Sequence, residues 1–225
     1  MDSHPNSARQ LTLFHGSPVR VPAPKFGFGN PCNDYGLAFY CTEEFDLACE
    51  WACPTAQDGY VNEYRLDLSD LVVLDLGAEP YGALNWLAVL VQNRRFDTTS
   101  PLMREAKNYL LSTFTPPADN VDVITGYRAD DSYFSFARAF LDGRISLQQL
   151  ERALVLGKLG TQWAVKSPTA FKRLQFVGSA PVRGAAWNVR RMERDATARS
   201  EYRSLSHEPF GTHDTFILDL IRGRS

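Results

Sequence analysis

The sequence lacks several features that would place it in a common class at once. No window approaches the run of about 18 apolar residues that a membrane helix needs. The N-terminal segment "MDSHPNSARQ" is polar and has no apolar stretch typical of a cleaved signal peptide. There is also no Walker loop, no GxSxG and no HExxH sequence. We therefore expect a soluble cytoplasmic protein, or one exported by a route that uses no cleaved signal.

A strong charge of either sign is also missing. The chain has 24 Lys and Arg residues against 26 Asp and Glu residues, which gives a formal net charge of −2. This balance offers no global electrostatic argument for nucleic-acid binding. The segment 183–203 is locally arginine-rich but is diluted by acids, so it is either a solvated helix or a docking surface for RNA, DNA or an acidic partner. Its arginines are Arg183, Arg190, Arg191, Arg194, Arg199 and Arg203.

Cysteine is scarce and clustered. The four cysteines are Cys32, Cys41, Cys49 and Cys53, without a CxxC pair or a histidine nearby in the sequence. This spacing favours buried free thiols over a zinc site, and we predict no metal. The lack of an export signal disfavours disulfide bonds.

The hydrophobic pattern predicts a mixed α+β domain. Strands do not alternate strictly with helices, which disfavours a doubly wound parallel sheet. Thr42 is predicted to cap a helix, and Ser146 with Gln149 has the sequence of a capping box. Strands are predicted at 11–17, 36–42, 59–68, 71–76, 121–127 and 161–167 and at the end of 169–179; helices are predicted after residue 42, over 81–114, over 145–157 and in 183–203.

Two stretches combine residues that carry chemistry. "FHGS" at 14–17 places His15 at the end of the first strand, and "GLAFYCTEEFDLACEWA" at 36–52 places Tyr40 at the end of the second. Trp51 follows eleven residues later on a predicted helix. Each residue alone is typical of a structural side chain, but the combination is more specific.

The combination resembles the NAD-binding half of the ADP-ribosyltransferase fold, in the branch of poly-ADP-ribose polymerases and diphtheria toxin. The patterns "HGS", "NDYGLAFYCT", "EWA", "ADDSYF" and "LGTQWAVKS" more closely resemble an uncharacterised bacterial family of this fold, often encoded beside small antitoxin-like partners. The resemblance covers about residues 11–180. It implies a split antiparallel sheet and an NAD site formed by His15, Gly16, Ser17, Gly36, Tyr40 and Trp51.

The roles implied by this resemblance have a physical basis. NAD carries a positively charged nicotinamide ring, which two aromatic rings such as Tyr40 and Trp51 can hold between their faces. Gly16 lets backbone groups approach the nicotinamide amide because it has no Cβ. His15 and Ser17 would hydrogen-bond the hydroxyls of the adenosine-side ribose.

The sequence departs from the broad fold pattern at one catalytic position. Active members usually have a glutamate early in a later strand, where this chain has Gln162. A glutamine can hydrogen-bond the nicotinamide ribose, but it carries no negative charge and cannot act as a base. Asp130 and Asp131 are candidates to compensate, with Asp131 either a helix cap or a catalytic acid or base. The "NEYRLDL" stretch comes too early in the chain for Glu63 to be the catalytic glutamate.

The sequence thus predicts three regions. Residues 1–10 are expected to be disordered, 11–182 to form an ADP-ribosyltransferase-like domain, and 183–225 to form a charged helical extension packed on it. Arg128 and Lys166 are candidates to meet the pyrophosphate of NAD.

The predicted function is NAD-dependent mono-ADP-ribosylation of a macromolecular acceptor with release of nicotinamide. The expected catalytic residues are His15, Tyr40, Asp131 and Gln162. The resemblance implies a bacterial toxin or effector with a possible cognate antitoxin and no membrane partner. The alternatives are a non-catalytic module that binds NAD or ADP-ribose, and an NAD glycohydrolase that uses water as the acceptor.

Overall fold

A computed structural model describes residues 10–223 except residues 97, 99, 119, 130 and 159, and it leaves the side chains of residues 131–133 undescribed. The prediction of disorder for residues 1–10 therefore lies almost wholly outside the described residues. Gln10, the exception, is the first residue of a strand.

Seven strands form one open sheet that is mostly antiparallel. They are β1 (Gln10–Ser17), β2 (Phe39–Thr42), β3 (Gly59–Asp67), β4 (Val73–Asp75), β5 (Val123–Tyr127), β6 (Thr161–Val165) and β7 (Leu174–Val182). The order across the sheet is β4-β5-β6-β2-β1-β3-β7. Only β4 and β5 pair in parallel among these strands. The predicted α+β class is confirmed.

Eight α-helices accompany the sheet in the described part of the chain. They are α1 (Phe45–Ala52), α2 (Ala83–Asn93), α3 (Pro101–Thr113), α4 (Asp131–Leu141), α5 (Leu147–Leu154), α6 (Pro168–Lys172), α7 (Gly184–Ser206) and α8 (Ile217–Ile221). None of the described helices is both long and apolar enough to cross a membrane.

The segment 81–114, predicted to be helical, forms the two helices α2 and α3 with a break between them. Arg94, the C-cap of α2, has extended backbone angles. Ser100 caps α3 by accepting a hydrogen bond from the Met103 N–H, and Pro101 follows as the first helical residue. A residue before proline avoids the helical region, so Pro101 favours a helix start rather than a helix interior.

Two predicted helix starts have different outcomes. Thr42 is not the N-cap of α1, since that position is held by Glu44; the Thr42 hydroxyl instead accepts a hydrogen bond from the Glu44 N–H at 3.1 Å. The capping box of α5 is confirmed: the Ser146 hydroxyl accepts from the Gln149 N–H, and the Gln149 side chain accepts from the Ser146 N–H, both at 3.1 Å.

Three hydrophobic clusters hold the helices on the sheet. The largest joins α2, α3, α4 and α5 to β4, β5 and β6, and it also contains Leu205 of α7 and Ile217 of α8. A second contains Leu13, Cys41 and Trp163, and a third packs α1 against Val61 and Val182. The burial of Leu205 and Ile217 ties the C-terminal segment to the main core.

The cysteines are free thiols, with Cys41, Cys49 and Cys53 buried and Cys32 partly exposed. Among the residues described, no group of three or more His, Cys, Asp or Glu side chains is placed to hold a metal ion.

Candidate functional site

The two strands that carry His15 and Tyr40 meet at the centre of the sheet. β1 pairs with β3 over eight residues, from Gln10 to Ser17, whereas its pairing with β2 is at Phe14 and Thr42. Next to that pair, the link between the two strands is a side-chain hydrogen bond: His15 Nδ1 lies 2.7 Å from the Tyr40 carbonyl oxygen. The ends of β1 and β2 beyond this point border an open cavity.

This first cavity has a volume of about 730 Å³ and is lined by five of the predicted site residues. They come from four different elements: His15 and Ser17 from β1, Tyr40 from β2, Trp51 from α1 and Gln162 from β6. The volume falls within the range of about 300–1,000 Å³ that is usual for ligand and cofactor sites.

His15 is held in a defined tautomer. A carbonyl oxygen can only accept, so Nδ1 carries the proton that bonds Tyr40, and a neutral ring then leaves Nε2 as an acceptor. Burial lowers the pKa of His15 and so favours the neutral ring. Phe39 packs against the ring with centroids 4.4 Å apart.

The hydroxyl of Tyr40 is occupied by the main chain. It donates to the Gly36 carbonyl at 2.5 Å and accepts from the Tyr35 N–H at 3.1 Å. Burial raises the pKa of Tyr40 well above its usual value, which keeps the phenol protonated. Tyr40 therefore presents its ring to the cavity. Gly36 does not line the cavity and instead forms the turn beneath it at a φ of 76°.

Gly16 also acts from behind the cavity wall. A Cβ on Gly16 would lie 2.0 Å from the Ala48 carbonyl oxygen and 2.8 Å from the Trp51 Cβ. The absence of that atom lets α1 pack directly on β1, and this contact places Trp51 in the cavity.

Trp51 contacts a cation rather than Tyr40. The Arg128 guanidinium carbon lies 4.5 Å from the centre of the Trp51 ring, a favourable cation–π distance. No ring contact joins Tyr40 and Trp51 in the described chain, and the indole N–H of Trp51 has no hydrogen-bond partner there.

Gln162 is 7% exposed, and its side-chain oxygen has no hydrogen-bond partner among the described residues. In the sheet it lies opposite Thr42 of β2 and Gly126 of β5. A buried amide oxygen without a partner is costly, and the hydroxyl of a bound ligand would satisfy it.

A buried ion pair forms a wall that sequence reasoning missed. Asp34 accepts from the Arg94 Nε at 2.7 Å and from the Ala129 N–H at 2.9 Å. Burial raises the pKa of Asp34, and the Arg94 charge opposes that shift. The pair joins the loop before β2 to the end of α2, and both of its members hydrogen-bond Ala129 in the chain after β5. Its only signal in the sequence was that Asp34 belongs to the quoted "NDYG" pattern.

Helix α7 supplies a second wall that was not predicted. Arg191, Met192, Arg194, Asp195 and Arg199 of α7 all line the first cavity. Arg194 is fixed there by Glu50 of α1, with Nε 2.8 Å from Oε2 and side-chain exposures of 15% and 8%. Segment 183–203 was predicted to be a solvated helix or a docking surface for RNA, DNA or an acidic partner; the helix is observed and most of its residues are not buried, whereas its part in the cavity was not predicted.

The described lining of the first cavity has six cationic side chains and two carboxylates. Arg128 is among the cations, as expected, but Lys166 is not. The Lys166 ammonium donates to the Tyr35 carbonyl, and burial lowers its pKa.

None of the three acids considered as catalytic candidates in the sequence has a described side chain in the first cavity. Glu63 lies in β3 outside the lining of the first cavity. Asp131 is the first residue of α4, and its side chain lies outside the described part. Asp130 is not among the described residues.

Comparison with known proteins gives one match. No curated protein and no solved structure shows a significant match to this chain. The profile of a family described as "Protein of unknown function (DUF3990)" matches residues 11–176, from the second residue of β1 into β7. Because this match spans well over half of the chain, the protein belongs to the DUF3990 family.

Proposed function

We propose that the protein binds NAD in the first cavity and transfers ADP-ribose to a macromolecular acceptor with release of nicotinamide, on a fold of the ADP-ribosyltransferase type. The supporting observation is that one cavity of about 730 Å³ gathers His15, Ser17, Tyr40, Trp51 and Gln162 from four elements. The sequence resemblance implies that the first four of these residues belong to the NAD site and that Gln162 is at the catalytic position.

The polar half of NAD has suitable partners in this cavity. His15 offers Nε2 as an acceptor to a ribose hydroxyl. The Ser17 oxygen accepts from the Val19 N–H at 3.3 Å, which leaves its own O–H as a donor. The excess of cations in the lining, Arg128 among them, suits the two negative charges of the pyrophosphate.

The nicotinamide ring is assigned to the space between Tyr40 and Trp51. The Tyr40 hydroxyl makes two hydrogen bonds to the main chain, which hold the Tyr40 ring in place and preorganise it for stacking on nicotinamide. The Arg128 guanidinium lies over the Trp51 ring, and we propose that it moves to the pyrophosphate when NAD binds.

Chemistry then follows from the position of Gln162. The C1′–nitrogen bond breaks, its electron pair leaves with nicotinamide, and the acceptor bonds to C1′. The unpartnered oxygen of Gln162 accepts from the 2′-hydroxyl of the nicotinamide ribose. Asp131 is proposed to take the acceptor proton, since α4 begins there two residues after Ala129, which lines the cavity. The resemblance further supports a role as a toxin or effector controlled by an antitoxin.

The neutral side chain of Gln162 favours a second candidate, a module that holds NAD or ADP-ribose without turnover. A carboxylate next to a developing cation contributes on the scale of one electrostatic group, about 10²–10³ in rate. Its replacement by an amide would leave binding intact.

The first experiment measures free nicotinamide after the full chain is incubated with NAD and a cell lysate. We expect release by the wild type and loss of release in His15→Ala. His207→Ala is the matched control, because His207 is exposed and also bonds a main-chain carbonyl, that of Arg203. Transfer of labelled ADP-ribose to a lysate fraction would identify the acceptor class, whereas cleavage without transfer would indicate a glycohydrolase.

A second variant separates the enzyme from the binding module. We expect Gln162→Glu to raise nicotinamide release at least tenfold, with Gln92→Glu on the exposed surface of α2 as the matched control. A silent wild type that NAD nevertheless stabilises against heat would support the binding module. A wild type that neither cleaves nor binds NAD would refute both candidates.

A further inference from the structure

A second cavity of about 750 Å³ lies on the other side of β6. Its lining includes four carboxylates, those of Glu43, Glu44, Asp46 and Asp75, against one described cation, Lys158. The first three acids precede or begin α1, and Asp75 ends β4. Two segments that are distant in sequence, the start of α1 and the end of β4, thus place four negative charges around the second cavity.

One strand separates the two cavities. Side chains alternate between the faces of a sheet, so Gln162 lines the first cavity while Thr161 and Trp163 line the second. The lining of the second cavity also includes two aromatic residues, Trp163 and Tyr127. The indole N–H of Trp163 donates to Glu43 Oε1 at 2.9 Å, which fixes this carboxylate at the cavity wall and leaves its second oxygen available.

A buried hydroxyl in the second cavity has no hydrogen-bond partner among the described residues. Thr125 is 2% exposed, lines the second cavity, and its Oγ1 makes no hydrogen bond within the described part of the chain. Leaving a buried hydroxyl unsatisfied destabilises a fold unless something else compensates. A ligand that carries N–H donors would supply the missing hydrogen bond.

The chemistry of the lining identifies the class of ligand. Carboxylates select cations, and aromatic rings favour a planar, weakly hydrated cation such as guanidinium over a compact ammonium. A metal ion does not fit, because the described carboxylates are not grouped at metal-binding distances. We propose that the second cavity binds a cationic nitrogen group of a ligand, best matched by the guanidinium of an arginine side chain. The inference does not depend on NAD binding in the first cavity.

The test uses the full chain and two fluorescent peptides, Gly-Arg-Gly and Gly-citrulline-Gly, which differ by the charge of one side chain. Fluorescence anisotropy is expected to show binding of the arginine peptide and at least tenfold weaker binding of the citrulline peptide. The double variant Glu43→Gln/Asp75→Asn should weaken arginine-peptide binding at least tenfold. Glu105→Gln/Glu151→Gln, which changes two exposed acids outside both cavities, should bind as the wild type does.

Thr125→Val gives a signature that loss of folding cannot produce. Removing an unpartnered buried hydroxyl should raise the midpoint of thermal unfolding, while the affinity for the arginine peptide falls several-fold. Equal binding of both peptides, no binding of the arginine peptide by the wild type, or unchanged affinity in the acidic double variant would each overturn the proposal.

Discussion

The two cavities lie on opposite sides of β6 but are built differently. The described lining of the first is rich in cations, and two of its arginines are held by buried carboxylates, Arg94 by Asp34 and Arg194 by Glu50. The second is acidic, and all four of its carboxylates are exposed.

The contrast separates two kinds of polar wall. Each of the two buried carboxylates would be left as an uncompensated charge without its arginine, so Arg94 and Arg194 of the first cavity also stabilise the fold. Exposed carboxylates cost little to replace, so substitutions of the four carboxylates of the second cavity should affect binding and leave stability nearly unchanged. The free energy of unfolding of matched variants tests this difference.

The largest effect is expected where α1 meets β1 behind the first cavity. In Gly16→Ala the new Cβ would lie 2.0 Å from the Ala48 carbonyl oxygen, and this neighbour is backbone that cannot rotate away. We expect a loss of about 3 kcal/mol or more in the free energy of unfolding, measured by urea denaturation.

Gly178→Ala in β7 is the control for Gly16→Ala, because a Cβ there meets nothing within 4 Å. It should change stability by less than about 0.5 kcal/mol. Similar losses in the two variants would mean that α1 is not seated on β1 as described.

The next largest effect concerns the arginines of α7. Arg194→Met leaves Glu50 buried without its partner, which should cost about 3 kcal/mol. Arg199→Met is the matched control, since Arg199 pairs with Asp195 one turn away and is 58% exposed, and it should cost less than about 0.5 kcal/mol. Chemical denaturation of both variants measures these two losses in the free energy of unfolding. Equal costs would show that α7 is not fixed to the cavity wall.

Local sequence patterns predicted most of the strands and the α5 capping box. Each of these is determined by neighbouring residues, through alternation for the strands and through hydrogen bonds over three residues for the cap. The apolar spacing within 81–114 did not predict the break between α2 and α3, although Pro101 after Ser100 is a signal for a helix start.

The site was predictable only in part. The resemblance selected His15, Ser17, Tyr40, Trp51 and Gln162, which line one cavity. It did not select the wall formed by α7, because α7 lies outside the segment that carries the pattern and its arginines have the spacing of a solvated helix. The second cavity was not predicted either, since Asp75 joins Glu43, Glu44 and Asp46 only when β4, β5, β6 and β2 are assembled in one sheet.

A smaller effect is expected for the second cavity. Glu43→Gln/Asp75→Asn keeps the acceptors that Trp163 and Gly77 use, since the amide oxygens can replace the carboxylate oxygens. The free energy of unfolding should therefore change by no more than about 0.5 kcal/mol per site, even though four like charges become two. A loss as large as that of Arg194→Met would contradict the distinction between the two cavities.

The most gradual effect concerns the pH dependence that His15 gives to the first cavity, which is absent at neutral pH and develops only on acidification. Burial holds the pKa of His15 in the folded state below the value of 6.5 that it has when unfolded. Between these two values the unfolded chain binds a proton that the folded chain does not. The contribution of His15 to stability is therefore complete above pH 6.5 and is lost as the pH falls toward the folded-state pKa, with a slope of at most about 1.4 kcal/mol per pH unit.

His15→Asn isolates the contribution of His15 to the pH dependence of stability, because an asparagine can still donate a hydrogen bond but does not titrate. Urea denaturation between pH 7.5 and 5.5 should show a steeper loss of stability in the wild type than in His15→Asn, and His207→Ala should follow the wild type. If the wild type instead gained stability on acidification relative to His15→Asn, His15 would be charged in the folded state. Its Nε2 could then no longer accept a hydrogen bond from a ribose hydroxyl. The proposed NAD site would lose the acceptor that His15 is assigned to provide.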